Sequence, residues 1–272
     1  MDFRALPAAY ALIAAVQLCL AVRGSSGTFY GPLAVGWGAA ALHAWDLRRP
    51  IAVPASAARW ICGGLLALAP IVYLLSIGPT YQPAERLAPI VSGLGLIIAL
   101  RGFGAVRSSA AELILLSLPL ITPLPRAIAA ALAPKAATAF VAAIVLRLGG
   151  VEVVQQGTYL DVPGAAVEVI DACSGVLVIS QLLALSVVVS CLFSPRLPRA
   201  ALTAVLAVAI GFLVNAVRVA FFVLVVRDTP EQVVLWHEGW FAPVFAVAST
   251  ALCGVAWWLV LRSPRHPALT QA

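Results

Sequence analysis

The residues in this chain best suited to covalent chemistry are a cysteine, an arginine and a histidine beside long apolar segments. Cys173 stands between a polar loop and an apolar segment, Arg218 lies inside the next apolar segment, and His237 comes shortly before the last one. A thiolate attacks a carbonyl carbon, a histidine carries the proton, and an arginine stabilises the developing oxyanion. Together the three residue types favour acyl transfer from an amide or an ester.

Each of the three also has a structural interpretation. Cys173 can be a small residue at a helix boundary, although a helix N-terminus and a nearby cation would both favour its thiolate. Arg218 is a charge in an apolar segment, which normally faces a bundle interior or a wet cavity. Its structural alternative is an ion pair, for example with Glu112. His237 can be an interfacial residue in an aromatic belt formed by the tryptophans around it.

Three neighbouring residues are candidates for supporting roles. Asn215 precedes Arg218 by three residues and so lies on the same helix face, and Ser174 and Gly175 directly follow the cysteine. The remaining cysteines lie within apolar segments and show no CxxC or metal-ligand spacing, so we expect neither a metal nor a cofactor. These four are Cys19, Cys62, Cys191 and Cys253.

The composition places these residues in a membrane protein. Of the 272 residues, 62% are hydrophobic and 10% are charged, against about 45–50% and about 25% in soluble proteins. We therefore predict an all-α polytopic membrane protein, a single integral membrane domain over residues 1–272 with its catalytic half at about 110–261. The net charge of +6 comes from scattered basic residues, which favours a lipid bilayer as partner and excludes a nucleic-acid surface.

A membrane-spanning helix needs about 20 mostly apolar residues, and the apolar runs predict about eight spans. The segment Arg126–Leu148 is ambiguous because prolines interrupt the stretch around it, and it is re-entrant, interfacial or a full span. The predicted spans are Leu6–Val22, Phe29–Trp45, Trp60–Ile77, Leu87–Leu100, a crossing that includes Ala110–Ile121, and then Ser174–Phe193, Ala200–Val226 and Trp240–Leu261.

The polar loop Gly149–Ile170 separates the two halves of this pattern. Its valines and other apolar residues recur with period two around Gln155-Gln156-Gly157. That alternation predicts a short extramembrane β-hairpin. We expect this hairpin to lie over the site formed by the three chemically suited residues.

The distribution of basic residues predicts the orientation. Arginines are in excess over acids in the two termini and in every second connecting segment, and cytoplasmic loops carry this excess. With eight crossings the N- and C-termini face the cytoplasm. Cys173, Arg218 and His237 then lie toward the outer leaflet of the membrane. We predict that they converge in one cavity open to that face.

In its motifs the sequence resembles the exosortase/archaeosortase family of polytopic membrane enzymes. The resemblance covers about half the chain, roughly Ala110–Ala256, and rests on four motifs in order. They are Pro123-Leu124-Pro125, Val169-Ile170-Asp171-Ala172-Cys173-Ser174-Gly175, Asn215-Ala216-Val217-Arg218-Val219, and Trp236-His237-Glu238.

The resemblance implies a cysteine protease or transpeptidase in the cytoplasmic membrane of a bacterium or archaeon, with its site toward the periplasmic face. An arginine in the third role also resembles sortases. Its substrates would be secreted proteins that end in a short motif, often Pro-Glu-Pro-like, a transmembrane helix and a basic tail. Cys173 would be the nucleophile, Arg218 the charge-stabilising residue and His237 the proton carrier. The alternatives are a small transporter or channel with Arg218 in its pathway, and a non-catalytic assembly scaffold.

Overall fold

The computed structural model describes residues 5–24, 30–46, 56–77, 82–121, 134–237, 241 and 243–262. For residues 23–24, 30, 77, 82–85, 121, 134 and 237 it describes the backbone only. Backbone contacts divide the chain into two compact units. The first unit contains residues 1–123 and 187–194, and the second contains residues 124–186 and 195–272.

The first unit is built from helices. Its residues are rich in Ala, Leu and Ile, which form helices readily and present apolar faces on every side. The helices are α1 (Ala5–Gly24), α2 (Tyr30–Asp46), α3 (Ala57–Ile77), α4 (Gln82–Arg101), α5 (Ala110–Leu116) and α6 (Leu118–Ile121), with single 3-10 turns at Phe103–Ala105 and Arg107–Ser109.

Two glycines allow α3 and α4 to pack with their backbones in contact. A Cβ atom on Gly63 would lie 2.5 Å from the backbone nitrogen of Ala99, and one on Gly95 would lie 2.3 Å from that of Ala67. Small residues at helix crossings are typical of membrane proteins, because close packing replaces the hydrophobic driving force that water provides.

Side-chain hydrogen bonds connect four helices of this unit. Trp37 Nε1 donates to Gln17 Oε1 at 3.0 Å, and Gln17 Nε2 donates to Ser92 Oγ at 3.0 Å. The Ser92 hydroxyl donates in turn to the carbonyl of Ala67 at 2.8 Å. The first three side chains are buried, so these bonds satisfy polar groups that would otherwise be costly to bury.

The same unit buries an ion pair. Glu112 is fully buried, and its Oε1 lies 3.0 Å from Arg101 Nη1 and 3.5 Å from His43 Nδ1. Arg101 Nη1 also donates to Ser109 Oγ at 3.1 Å. Glu112 therefore takes Arg101 as its partner, in place of the Arg218 considered from the sequence. A buried carboxylate requires a counter-charge, and Arg101 at the end of α4 supplies it.

The second unit contains the polar loop and the last apolar segments of the chain. Its helices are α7 (Pro134–Leu148), α8 (Val176–Phe193), α9 (Leu197–Asp228), α10 (Val233–His237) and α11 (Val244–Arg262), and α8 ends within the residues assigned to the first unit. Single 3-10 turns at Asp171–Cys173 and Pro230–Gln232 precede α8 and α10.

The polar loop folds into a three-stranded antiparallel sheet in the order β1-β2-β3. The strands are β1 (Val154–Gln156), β2 (Tyr159–Val162) and β3 (Ala165–Glu168). The sequence predicted a short β-hairpin in this loop, and the structure has a sheet of three strands where a hairpin has two. Two positive-φ glycines in the turns, Gly157 and Gly164, allow the tight reversals on both sides of β2.

The apolar core of the second unit lies between α7, the sheet and α9, and Cys173 packs against its edge. Alanines give α7 a narrow face, so the helix approaches its neighbours closely. The core residues are Ala139, Ala142, Ala143 and Leu146 of α7, Val153, Leu160, Val162 and Val169 in or beside the sheet, and Val219, Ala220 and Val223 of α9.

Five of the described helices are long and apolar enough to cross a membrane, which supports a polytopic all-α membrane protein. The count of about eight crossings stays a prediction. Helix α7 has 15 residues, or about 22 Å, against a hydrocarbon core of about 30 Å. The five segments are Ala5–Val22, Ala57–Ser76, Val176–Phe193, Leu197–Asp228 and Val244–Arg262. The prediction of one membrane domain over residues 1–272 also stays a prediction.

Candidate functional site

Cys173 lies on a short turn between the sheet and α8. It ends the 3-10 turn that begins at Asp171, and its backbone N–H donates to the carbonyl of Ile170 at 2.9 Å. The hydroxyl of Ser174 donates back to the carbonyl of Asp171 at 2.6 Å, which closes the turn on itself. The thiol is half-buried and stands before the first turn of α8, separated from it by Ser174 and Gly175.

Asn215 of α9 holds this turn from the side. Its Nδ2 donates to the carbonyl oxygen of Cys173 at 2.8 Å. Gly175 adopts φ +82°, and a Cβ atom there would lie 2.8 Å from Asn215 Cγ. Only glycine combines that backbone conformation with that close approach. Asn215 and Gly175, two of the three supporting candidates, are thus in direct contact. Ser174, the third, is buried and lies between Cys173 and Gly175 in the turn.

Arg218 follows Asn215 by three residues of α9 and lines the same cavity as Cys173. Its guanidinium carbon lies 5.4 Å from the centre of the Phe222 ring, a cation–π contact. Within the part of the chain that the structure describes, no carboxylate forms a salt bridge with Arg218. Arg218 thus lies against the ring of Phe222 and lines the cavity.

The cavity has a volume of about 200 Å³ and is mostly apolar. Its wall comes from the end of β3, from α9 and from the first residue of α10. Glu168 is the carboxylate in this wall, and the neighbouring strand places Tyr159 opposite it. A hydrogen bond to Glu168 raises the pKa of Tyr159. The lining residues are Val167, Glu168, Val169, Ile170, Cys173, Arg218, Val219, Phe222, Val226 and Val233.

The electrostatics of the thiol combine two opposing effects. Burial raises the pKa of Cys173, while the Arg218 guanidinium lowers it, and burial is the larger effect. The resting thiol is therefore protonated at neutral pH. The expectation that a helix N-terminus would favour the thiolate does not hold here, because Cys173 precedes α8 on a separate turn. A base would be required to convert this thiol into a thiolate.

The short helix α10 connects the cavity wall to His237. Val233 begins α10 and lines the cavity, and His237 ends α10 four residues later, about 6 Å along the helix axis. The side chain of His237 lies outside the described part of the structure. The structure thus brings Cys173 and Arg218 together, and places the backbone of His237 one helical turn from a residue of the cavity wall.

An aromatic cluster holds α10 against its neighbours. Trp236 packs edge-on against Phe221 of α9 and stacks on Phe241, each with ring centres 4.6 Å apart. Phe221 also contacts Phe245 of α11 at 5.7 Å. Because Trp236 directly precedes His237, this packing fixes the position of the helix end that carries the histidine.

One further residue holds the turn of Cys173, and it was not predicted from the sequence. Thr138 of α7 is fully buried, and its hydroxyl donates to the carbonyl of Ser174 at 3.2 Å. Lys135 Nζ lies 3.0 Å from Asp171 Oδ1 in a more exposed ion pair. The available signal for Thr138 was weak: it is the one hydroxyl residue in the α7 sequence PKAATAFVAAIVLRL. Among the described residues, no His, Cys, Asp and Glu group fits a metal ion.

The chain was also compared with known proteins. One protein-family model, described as transmembrane exosortase (Exosortase_EpsH), matches residues 10–254. That range takes in the turn of Cys173, all of α9 and the short helix α10. Neither the curated proteins nor the solved structures gave a match.

Proposed function

The chain belongs to the transmembrane exosortase family, and from this premise we propose that it is a membrane-embedded cysteine protease or transpeptidase. Its substrates are secreted proteins with a C-terminal sorting signal, which consists of a short motif, a transmembrane helix and a basic tail. Cys173 is the nucleophile, Arg218 stabilises the oxyanion and His237 carries the proton. The site faces the outer leaflet, and both chain termini face the cytoplasm.

The first half of the reaction forms a thioester. His237 takes the proton from Cys173 Sγ, and the thiolate attacks the carbonyl carbon of the scissile peptide bond. The new Sγ–C bond leaves a negative charge on the carbonyl oxygen beside Arg218. When this intermediate collapses, the C–N bond breaks and His237 returns the proton to the leaving amine. The amine departs with the transmembrane helix and the basic tail of the substrate.

The second half regenerates the enzyme. Water or the nucleophile of an acceptor attacks the thioester carbonyl, and His237 removes the proton of the attacking group. The C–Sγ bond then breaks, and the proton returns to Cys173. Water as the acceptor gives proteolysis, and an amine or a hydroxyl gives transfer of the acyl group.

The observation that supports this assignment is the shared cavity of Cys173 and Arg218. Many cysteine enzymes use the backbone N–H of the nucleophile to hold the oxyanion, but here that N–H donates to Ile170. That N–H is therefore occupied, and a side-chain donor can take its role. Arg218 is suitable because a guanidinium presents several donors and stays charged when it loses water.

Processing of a reporter tests the proposal. The reporter is a secreted protein that ends in a Pro-Glu-Pro motif, a transmembrane helix and an arginine-rich tail, produced with each enzyme variant. We expect Cys173→Ala and His237→Ala to abolish processing at unchanged enzyme abundance, and Cys191→Ala to process normally. Full processing by Cys173→Ala would contradict a cysteine enzyme and favour a transporter or a scaffold.

A further inference from the structure

We propose that Thr138 is a positioning residue for the nucleophile, an inference that rests on the function proposed for Cys173. Its hydroxyl fixes the carbonyl of Ser174 and, with Asn215, orients the Cys173 thiol toward Arg218. Helix α7, whose role the sequence left open, is then a support for the reactive turn.

Two hydrogen bonds from different helices hold consecutive peptide groups of the turn. Asn215 binds the carbonyl of Cys173 at 2.8 Å from α9, and Thr138 binds the carbonyl of Ser174 at 3.2 Å from α7. A peptide group is planar, so fixing two successive carbonyls leaves the backbone between them little freedom. That backbone belongs to Ser174, and the peptide group that precedes Cys173 is held by the hydrogen bond from its N–H to Ile170 at 2.9 Å. Because the peptide groups on both sides of Cys173 are held, the direction of its Cα–Cβ bond is fixed as well. The thiol is therefore oriented from both neighbouring helices.

Burial makes the contact of Thr138 specific. Thr138 is fully buried and Ser174 is 2% exposed, so water does not replace the hydroxyl if it is removed. A threonine in a helix commonly donates to a carbonyl of its own preceding turn, whereas this hydroxyl donates to a residue 36 positions away. Loss of the donor would leave the Ser174 carbonyl without this partner in a buried place, which favours rearrangement of the turn.

The position of Thr138 is itself fixed by packing. Ala139 and Ala142 follow it on α7 and belong to the apolar core shared with the sheet and α9. Both are fully buried, so α7 has no room to shift without disturbing the core. The nearby Lys135–Asp171 pair is different, because the Asp171 side chain is 91% exposed. An ion pair in water contributes little, which makes it a natural control.

The test uses the full-length protein in membranes, with Cys173 as the single remaining cysteine. Thr138→Val removes the donor at nearly constant shape, Thr138→Ser keeps it, and Lys135→Met removes the exposed ion pair. Two quantities are measured for each variant: the pH dependence of alkylation of Cys173 by iodoacetamide, and the rate of reporter processing per enzyme molecule. If Thr138→Val is absent from membranes, Thr138→Ala takes its place.

For Thr138→Val we expect the alkylation midpoint to move to higher pH, because the thiol turns away from the guanidinium that lowers its pKa. We expect processing to fall by about tenfold or more, since small displacements of a nucleophile are costly. Thr138→Ser and Lys135→Met should have the same alkylation midpoint and the same processing rate as the parent. A purely structural role would lower abundance and leave the midpoint and the rate per molecule unchanged.

Two results would overturn the inference: an unchanged midpoint and rate in Thr138→Val, or a loss that Thr138→Ser fails to restore. The test separates this inference from the proposed function. Normal processing by Thr138→Val beside an inactive Cys173→Ala removes the positioning role alone. Normal processing by Cys173→Ala removes the proposed function, and the alkylation midpoint then still reports whether Thr138 orients the thiol.

Discussion

Asn215 donates a hydrogen bond of 2.8 Å to the carbonyl oxygen of Cys173 across 42 residues of sequence. One helical turn later, Arg218 lines the cavity that Cys173 shares. One face of α9 therefore holds the backbone of the proposed nucleophile and also supplies the charge beside it. The separation between the thiol and the guanidinium is set by a rigid helix instead of a loop, which favours precise placement.

Replacement of Asn215 should have a large effect on the processing rate and a moderate effect on the free energy of unfolding. Asn215→Leu keeps a similar volume and removes the donor, so we expect the processing rate per enzyme to fall by about tenfold or more. The free energy of unfolding should fall by about 1–3 kcal/mol. Thr203→Val is the control, because Thr203 is buried on the same helix and its hydroxyl donates within that helix. Equal activity in the two variants would refute the role of Asn215.

A Cβ atom on Gly175 should be more damaging than one on another positive-φ glycine. Gly175→Ala adds backbone strain at φ +82° and a contact of 2.8 Å with Asn215. Gly150→Ala adds strain at φ +78° with nothing within 4 Å. We expect a cost of about 1–2 kcal/mol for Gly150→Ala and a larger one for Gly175→Ala, measured by thermal unfolding in detergent. Matching melting temperatures would show that the close approach is relaxed.

The apolar segments of the second half were readily predicted. Three predicted spans correspond to helices of the structure. The spans Ser174–Phe193, Ala200–Val226 and Trp240–Leu261 match the helices Val176–Phe193, Leu197–Asp228 and Val244–Arg262, respectively. Hydrophobicity over about 20 residues can be read from consecutive residues alone, and it does not depend on which segments meet in space. The ends differ by a few residues, because caps and turns decide them.

The contacts between distant residues were not predictable in the same way. Thr138 and Asn215 meet the turn of Cys173 only after α7, the sheet and α9 have packed together. The sequence offered Arg218 as one possible partner for Glu112, whereas the structure pairs Glu112 with Arg101, 11 residues away. Single polar residues in apolar segments indicate that a partner exists, but the fold decides which one.

Arg218→Ala and Arg218→Lys should separate charge from hydrogen-bond geometry. Because the guanidinium lowers the pKa of Cys173, we expect Arg218→Ala to raise that pKa further and to slow alkylation of the thiol at neutral pH. Lysine keeps the charge, so its effect on alkylation should be smaller. Reporter processing should fall by at least about a hundredfold in both variants, because lysine lacks the planar pair of donors. Near-normal processing by Arg218→Lys would instead indicate a structural charge.

The buried pair of the first unit should be a stability element separate from the chemistry. Arg101→Met leaves the fully buried Glu112 carboxylate without its arginine, and we expect a loss of about 3–5 kcal/mol. The double variant Arg101→Met with Glu112→Leu should be less destabilised than either single variant. The measurement is a double-mutant cycle from unfolding in detergent. Additive losses would show that the two charges do not interact.

A covalent intermediate on Cys173 is tested by the mass of the Cys173-containing peptide after the enzyme has been mixed with the reporter and quenched in acid. We expect this peptide to carry the acyl part of the substrate as a thioester, and neutral hydroxylamine to remove the added mass. We also expect no adduct in Arg218→Ala, in which the oxyanion is not stabilised. Continued processing with no adduct on Cys173, or an adduct on another residue, would show that Cys173 is not the nucleophile.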